Sequence, residues 1–554
     1  MAYKWNIISE AYNIPEVLLA IVKQKGITSS EIKEFIKKDS APHDPFLLTN
    51  MDKICFKIKK YIDENKKLVI VGDYDCDGIT ATAVLFLGLK NLNANVEWIL
   101  PDRFKDGYGL SKNLIDKAKD MNADVIITVD NGIAAKDAIE LAKSMGIDVL
   151  VTDHHQPKKE EIPDALIINP QIDDNYPFKG ICGCMVAFKL VLALTPNIEI
   201  ENEELYNELV CLSTIATIAD MMPLLDENRY YVKKGLNLIQ STQNIGLKTL
   251  ISNMNLKKQI MSDDIAFFIA PCINASGRLE SPEIALNLLL SDDEVTASKF
   301  ADKLIKLNNE RKRIQKEVLD SLEIDDDEKV IILKLENVGH GILGIIAGQV
   351  VEKYQRPCFA LGYDPQNKKL SGSGRSVADY NIFSVVERNS HILSGGGHEA
   401  ACGVKLSEDN LEEFKRLFFD DFMKWMTNNN IEEICPVIDI TALLHLNIIN
   451  KKLIETIDKL QPFGQKNLEP IFASKNLEVE SFKIVGQNLN TIQMTLLEGE
   501  SKIKAVGFNS VKDEYEKLGN PKFIDIVYTL GLNEWPKNVF TPQLKLKDIK
   551  ISNN

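Results

Sequence analysis

The chain has 554 residues, 45% of them hydrophobic and 26% charged, with a formal net charge of −15. That balance excludes a disordered or collagen-like chain, and at roughly 150 residues per domain it predicts about three or four domains. An acidic total excludes nucleic-acid binding over the whole surface, yet it leaves room for a local basic channel.

The opening stretch, MAYKWNIISEAYNIPE, has no basic cap before an apolar core, so no secretory signal is expected. The longest apolar runs, 83–89 and 185–194, fall short of the roughly 18 residues that span a bilayer. A soluble, cytoplasmic protein is expected. Residues 66–170 alternate between two textures. Short β-branched runs at 66–75, 94–101, 124–130, 148–153 and 165–170 predict strands, and helical spacing appears at 79–92, near 111–120 and at 134–145. Strands buried on both faces and joined by helices predict a parallel α/β sheet.

A largely helical region runs from about 183 to 320 and closes on one long, highly charged helix over 297–322. A second αβ pattern starts at 329–335 and continues through 341–354 to a helix near 408–428. Beyond 431, short alternating segments at 481–487, 491–497, 502–508 and 525–532 predict a small antiparallel barrel or sandwich. The expected division is 1–235, 236–325, 326–430 and 431–554. No tandem repeat is present, which excludes a solenoid. The nine cysteines are scattered, with no CxxC pair, and Cys182 and Cys184 have no second half to complete a zinc site. Buried free thiols in a reducing compartment are expected.

In open parallel sheets, ligands collect beyond the carboxyl ends of the strands. Here those ends read DYDCDG (Asp73, Asp75, Asp77), PDRFKDGYG (101–109), TVDNG (Asp130) and TDHH (Asp153, His154, His155). Taken singly, each motif has an ordinary structural reading: an Asp-Gly turn, a helix cap, a surface histidine pair. Together they place many carboxylates and two imidazoles at one sheet edge, where repulsion calls for divalent cations. Asp220, in STIATIADMMPL, ends an apolar run and is either a local cap or a further ligand. The set Asp75, Asp77, Asp130, His154 and Asp220 is oxygen-rich without thiolate, which favours Mn2+ or Mg2+ over zinc or copper. Two ions about 3.5–4 Å apart suit in-line attack on phosphorus, with Asp130 as the natural bridge because its strand is central.

These motifs, in this order and spacing, resemble the DHH phosphoesterase superfamily. NASGRL (274–279), GSGRS (372–376), GGGHEAACG (395–403) and QPFGQKNLEPIF (461–472) extend the resemblance to its RecJ-type branch, the single-strand-specific exonucleases. Cys76 stands where the first motif usually has Ala. The resemblance implies a parallel-sheet catalytic domain, a long connecting helix, a second α/β DHH-associated domain and a C-terminal OB-fold. It also implies two-metal hydrolysis of single-stranded DNA from the 5′ end to mononucleotides, in repair and recombination. Carried over by position, Asp75, Asp77, Asp130, His154 and Asp220 are metal ligands and Asp73 orients or supplements them. His155 touches the scissile phosphate or a metal, and Asp153 holds the adjacent imidazole.

Within the second αβ domain, Gly396 and Gly397 bare backbone N–H groups that can approach a phosphate, and His398 adds a donor. Ser373 and Arg375 offer a hydroxyl and a bidentate fork, and Arg278 is a candidate for the terminal 5′ phosphate. In the OB-like module, Phe482, Phe508, Tyr528 and Trp535 are either base-stacking groups or core. Lys483, Lys502, Lys504, Lys545 and Lys547 are either backbone contacts or a solvated face. Expected partners are single-stranded DNA, a single-strand-binding protein and a helicase, with no membrane and a monomeric state. Competing readings are a DHH enzyme for short oligoribonucleotides or cyclic dinucleotides, a non-catalytic scaffold and, more distantly, a family II pyrophosphatase. The module after residue 430 argues against the first and last of these, and the intact acidic set against the scaffold.

Overall fold

A computed structural model describes residues 3–37, 41–103, 105–107, 109–158, 160, 162–256, 259–325, 327–486, 489–534 and 539–552. The chain forms two compact units, Ala41–Ile434 and a second made of Met1–Ser40 with Cys435–Asn554.

The larger unit begins with a five-stranded, all-parallel sheet in the order Val96–Ile99, Leu68–Val71, Val125–Val129, Asp148–Thr152, Leu166–Ile168. Its strands alternate between two cores. Leu68, Ile70, Val125, Ile127 and Leu150 face the helices Cys76–Asn91, Gly183–Leu194 and Glu203–Ala219. Val69, Val71, Ile126, Val149 and Val151 face Lys112–Asp120 and Lys136–Ser144. Burial on both faces explains why these strands read as continuous apolar runs.

The helical region that follows ends in Glu294–Ser321, whose 28 residues give a rod of about 42 Å, capped where Asp293 accepts the Thr296 N–H. A second sheet then runs in the order Leu393–His398, Ala401–Ser407, Lys369–Arg375, Cys358–Asp364, Ile331–Leu335, parallel only in its last pair. The helix Leu411–Asn428 lays Phe414, Phe418, Phe422 and Met426 on it at four-residue spacing. Phe359 receives Phe414 and Phe418 edge-on, with centroids 5.1 and 5.0 Å away.

In the smaller unit, Thr491–Glu498, Ser501–Phe508, Phe540–Ile551, Phe523–Glu534 and Phe472–Val485 pair in sequence, and the last pairs back with the first. That closes a five-stranded barrel, with one parallel contact between Ser501–Phe508 and Phe540–Ile551. Residues 1–40 belong here and not with the first sheet, as the 1–235 division assumed. Lys4–Ile7 pairs with Val437–Ile440, Glu10–Ala11 pairs with Ala442–Leu444, and Val17, Ala20 and Ile21 enter the barrel core. No helix among the described residues is long and apolar enough to cross a membrane. Eight of the nine cysteines are buried and unpaired, with Cys435 exposed.

Candidate active site

The carboxyl ends of the parallel strands converge on one acidic centre. Asp73 lies two residues past the end of Leu68–Val71 and is 1% exposed. Asp75 caps the helix Cys76–Asn91, accepting the Gly78 N–H at 3.1 Å. Asp77, in the first turn, accepts the N–H groups of Gly183 and Cys184 at 2.7 and 2.8 Å, so a second helix N-terminus holds this carboxylate. Asp130 ends the central strand in the left-handed region, at φ 61°, a conformation Asp tolerates better than most residues. Gly183 is required beside it, since a Cβ there would lie 2.4 Å from Asp130 Oδ1.

The neighbouring turns hold this arrangement in place. Asn131, fully buried, donates its side-chain amide to the carbonyls of Val71, Gly72 and Val129, tying two strand ends together. Asp153 accepts from the Ile133, His154 and His155 N–H groups and from His155 Nδ1 at 2.8 Å. Those bonds outweigh its burial and keep Asp153 below the ordinary carboxylate range. They also fix His155, whose pKa rises to about 9 despite burial because of the Asp153 hydrogen bond and charge. Burial holds His154 below the ordinary imidazole value, which favours the neutral ring that a metal-ligating histidine must be.

His154 Nε2 lies 3.1 Å from Asp130 Oδ1, 3.6 Å from Asp77 Oδ2 and 3.7 Å from Asp220 Oδ2. Two ligand-like groups result, Asp77–His154–Asp220 and Asp73–Asp75–Asp130, each with donor atoms within 4.8 Å of one another. A third, Asp130–His154–His155, overlaps both. Asp73 Oδ1, Asp130 Oδ1 and Asp220 Oδ2 are buried without a hydrogen-bond partner among the described residues. Burial, then neighbouring carboxylates, pushes Asp73, Asp75 and Asp130 up, and Asp220 up to about 8. Orphaned, mutually repelling oxygens facing a neutral imidazole fit divalent cations, and the oxygen-rich donor set fits Mn2+ or Mg2+. Burial keeps the nearby Cys76 and Cys182 thiols protonated, so they are not competing ligands.

A cleft of about 750 Å³ lies in the same unit, lined by Arg103, Arg278, His340, Ser371, Ser373, Arg375, Gly396 and Lys405 among others. Arg375 donates to Ser373 Oγ at 2.6 Å and to the Gly374 carbonyl, and Arg278 donates to the Gly341 carbonyl at 3.0 Å. These bonds are to neutral acceptors, and burial lowers both guanidinium pKa values, that of Arg278 to about 10. Gly396 belongs to the sheet's edge strand, which leaves backbone groups bare on one side. Gly397 and His398 continue that strand towards its hairpin turn, with His398 exposed and accepting the Ala400 N–H, and they do not line the cleft.

Sequence reasoning missed Arg103, which stacks over the Tyr74 ring at 5.0 Å, and also Asn131, His340 and Lys405. Arg103 and Asn131 sit inside PDRFKDGYG and TVDNG, motifs in which the acids and glycines carry the sequence signal. Tyr108 of GYG lies outside the described residues.

In the barrel, Phe482, Lys483 and Lys504 line a groove of about 630 Å³. Phe508 is exposed, whereas Tyr528 is core, fully buried with its hydroxyl 2.8 Å from Ser474 Oγ. Lys502 is paired with Glu480, Lys545 and Lys547 are exposed, and Trp535 lies outside the described residues.

The DHH family N-terminal domain matches residues 67–217, the DHHA1 domain 327–424 and the RecJ OB domain 440–548. The chain is 33% identical to the single-stranded-DNA-specific exonuclease RecJ of Bacillus subtilis, over 98% of this chain and 69% of that protein. Against the protein of the same name from Haemophilus influenzae it is 32% identical, over 85% of this chain and 86% of the other. A crystal structure of RecJ in complex with Mn2+ from Thermus thermophilus superposes at a TM-score of 0.81 with 25% identity, covering 100% of this chain and 80% of that one. Sequence, domain order and fold agree, and the chain belongs to the RecJ family of single-stranded-DNA-specific exonucleases.

Proposed function

We propose that this chain hydrolyses single-stranded DNA from its 5′ end, releasing 5′-mononucleotides, with two Mn2+ or Mg2+ ions. The observation that carries the reading is the pair of carboxylate groups about Asp130, with three buried oxygens lacking partners. Asp77, His154 and Asp220 would hold one ion, Asp75 with Asp73 the other, and Asp130 both. When bound, such a pair of ions polarises a phosphodiester and makes water a competent nucleophile near neutral pH.

The chain's own residues supply the rest. Asp153 fixes the His155 ring, and the charged imidazole is placed to meet a phosphate oxygen. Arg278, Ser373 and Arg375, with the bare edge at Gly396, suit a terminal phosphate, and Gly397 and His398 suit the strand just beyond it. Phe482, Lys483 and Lys504 suit a single strand on the barrel. A single-strand-binding protein and a helicase as partners, a monomeric state and a cytoplasmic location belong to the same proposal and rest on the family resemblance.

The test is digestion of 5′-labelled single- and double-stranded DNA with manganese, magnesium or chelator, products being sized at early times. Labelled mononucleotide from the single strand alone, lost with chelator and in Asp130→Ala, is expected. Full activity of the purified Asp130→Ala protein would sink the site assignment.

A further inference from the structure

One short helix touches both the acidic centre and the arginine cleft. Ala270–Leu279 presents Asn274, whose Oδ1 accepts the Cys76 N–H at 2.9 Å, across 198 residues of sequence. Cys76 lies between the two metal-loop acids Asp75 and Asp77, so this bond pins the DYDCDG loop from outside its own sheet. One turn on, Gly277 presses on the same loop, where a Cβ would sit 2.3 Å from the Tyr74 carbonyl oxygen. The next residue, Arg278, lines the cleft and donates to Gly341 at the start of the helix His340–Tyr354. Gly341 is equally tight, since a Cβ there would lie 2.2 Å from the Arg278 carbonyl oxygen. Backbone therefore meets backbone at both ends of this segment, and neither joint has slack.

We propose that this helix is a strut setting the register between the arginine cleft and the acidic centre, with Asn274 and Gly277 as positioning residues. The four steps from Asn274 to Arg278 span about 6 Å along a helix, comparable with one extended sugar–phosphate unit. A strand whose terminal phosphate is docked beside Arg278 then presents its first phosphodiester to the acids. The strut converts recognition of the end group into rate, because misplacement by about 1 Å costs on the order of 100-fold in a positioned reaction. This inference rests on reading the cleft as the terminal-phosphate site.

The experiment compares 5′-phosphorylated and 5′-hydroxyl single strands with the full-length protein. Affinity is measured by anisotropy in chelator and turnover with Mn2+. Wild type should prefer the phosphorylated strand in both. In Gly277→Ala, whose methyl must push the helix off the loop, the binding preference should persist while the rate advantage of the phosphate falls by about 10-fold or more. Asn274→Ala, which removes the acceptor of the Cys76 N–H without adding bulk, should move the same way, and it carries the test if Gly277→Ala fails to fold. An intact rate advantage in both variants overturns the strut. So does joint loss of binding preference and rate advantage, which would make the helix mere support for the cleft. A wild type with no preference in chelator overturns the cleft reading itself, and the strut with it.

Discussion

Asp73, Asp75, Asp130 and Asp220 are held protonation-prone because burial and mutual repulsion oppose their charged forms. For such a group the folded state binds more protons than the unfolded one between the two pKa values. Its stabilising contribution is therefore full at low pH and fades as pH rises. For Asp220 that window runs from 3.8 to about 8, and His155, raised from 6.5 to about 9, acts in the same direction. Metal-free protein should accordingly melt lower at pH 8 than at pH 6. Mn2+ competes with the same protons, so the rise in Tm it causes should be larger at pH 8. Scanning fluorimetry with Mn2+ or chelator at both pH values measures this, and an equal rise would mean that these acids are not the ion's ligands. Asp73, Asp130 and His154 were legible in the sequence because each lies just past a strand whose apolar run marks its end. Asp75 and Asp77 share the first of those motifs, whereas Asp220 ends the helix Glu203–Ala219 and stood out only by closing an apolar run. Arg103 and Asn131 were not legible in the same way: their value lies in the Tyr74 ring and the Val71 and Gly72 carbonyls, which tertiary packing alone brings to them.

At the scale of the element, the apolar run 185–194 read as a helix, and Gly183–Leu194 is one, yet the lysine within it carried no signal. Lys189 is fully buried, 2.7 Å from Glu227 Oε2 and 2.8 Å from the His43 carbonyl, and the Tyr176 hydroxyl donates to the same carboxylate. This network anchors the helix whose first N–H groups hold Asp77. Removing one member of a buried ion pair strands the other charge, so Lys189→Ala should lose about 3–5 kcal/mol in urea denaturation. A loss below about 1 kcal/mol, the range of surface pairs, would mean that Glu227 is not an ionised partner. The glycine-rich segment 395–398 shows the converse limit. Its glycines read as bare backbone able to approach a phosphate, and composition says nothing of the edge strand it forms, because the ladder comes from its partner Ala401–Ser407. Sheet pairing is a relation between segments, and only half of it is written in either one.

At the scale of the whole chain, the parallel sheet, the long helix, the second αβ sheet and the barrel all follow the textures of the sequence, whereas the place of residues 1–40 does not. Lys4–Ile7 and Glu10–Ala11 pair with strands more than 400 residues away, and nothing local marks such a partner. The consequence is practical. A fragment ending near residue 434 but starting at residue 1 keeps a segment whose apolar face, Val17, Ala20 and Ile21, has lost the core that covered it. Exposed apolar surface of that kind promotes association. The fragment 1–434 should therefore aggregate, whereas 41–434 should be monodisperse, cleave short single strands with Mn2+, and bind long strands more weakly than the full chain. Light scattering and anisotropy on the two fragments separate the cases. If 41–434 binds long strands as tightly as the full chain, the barrel groove at Phe482, Lys483 and Lys504 is not where the strand is held. If 1–434 remains monodisperse, the first forty residues have a stable fold of their own, and their strands were lent to the barrel rather than dependent on it.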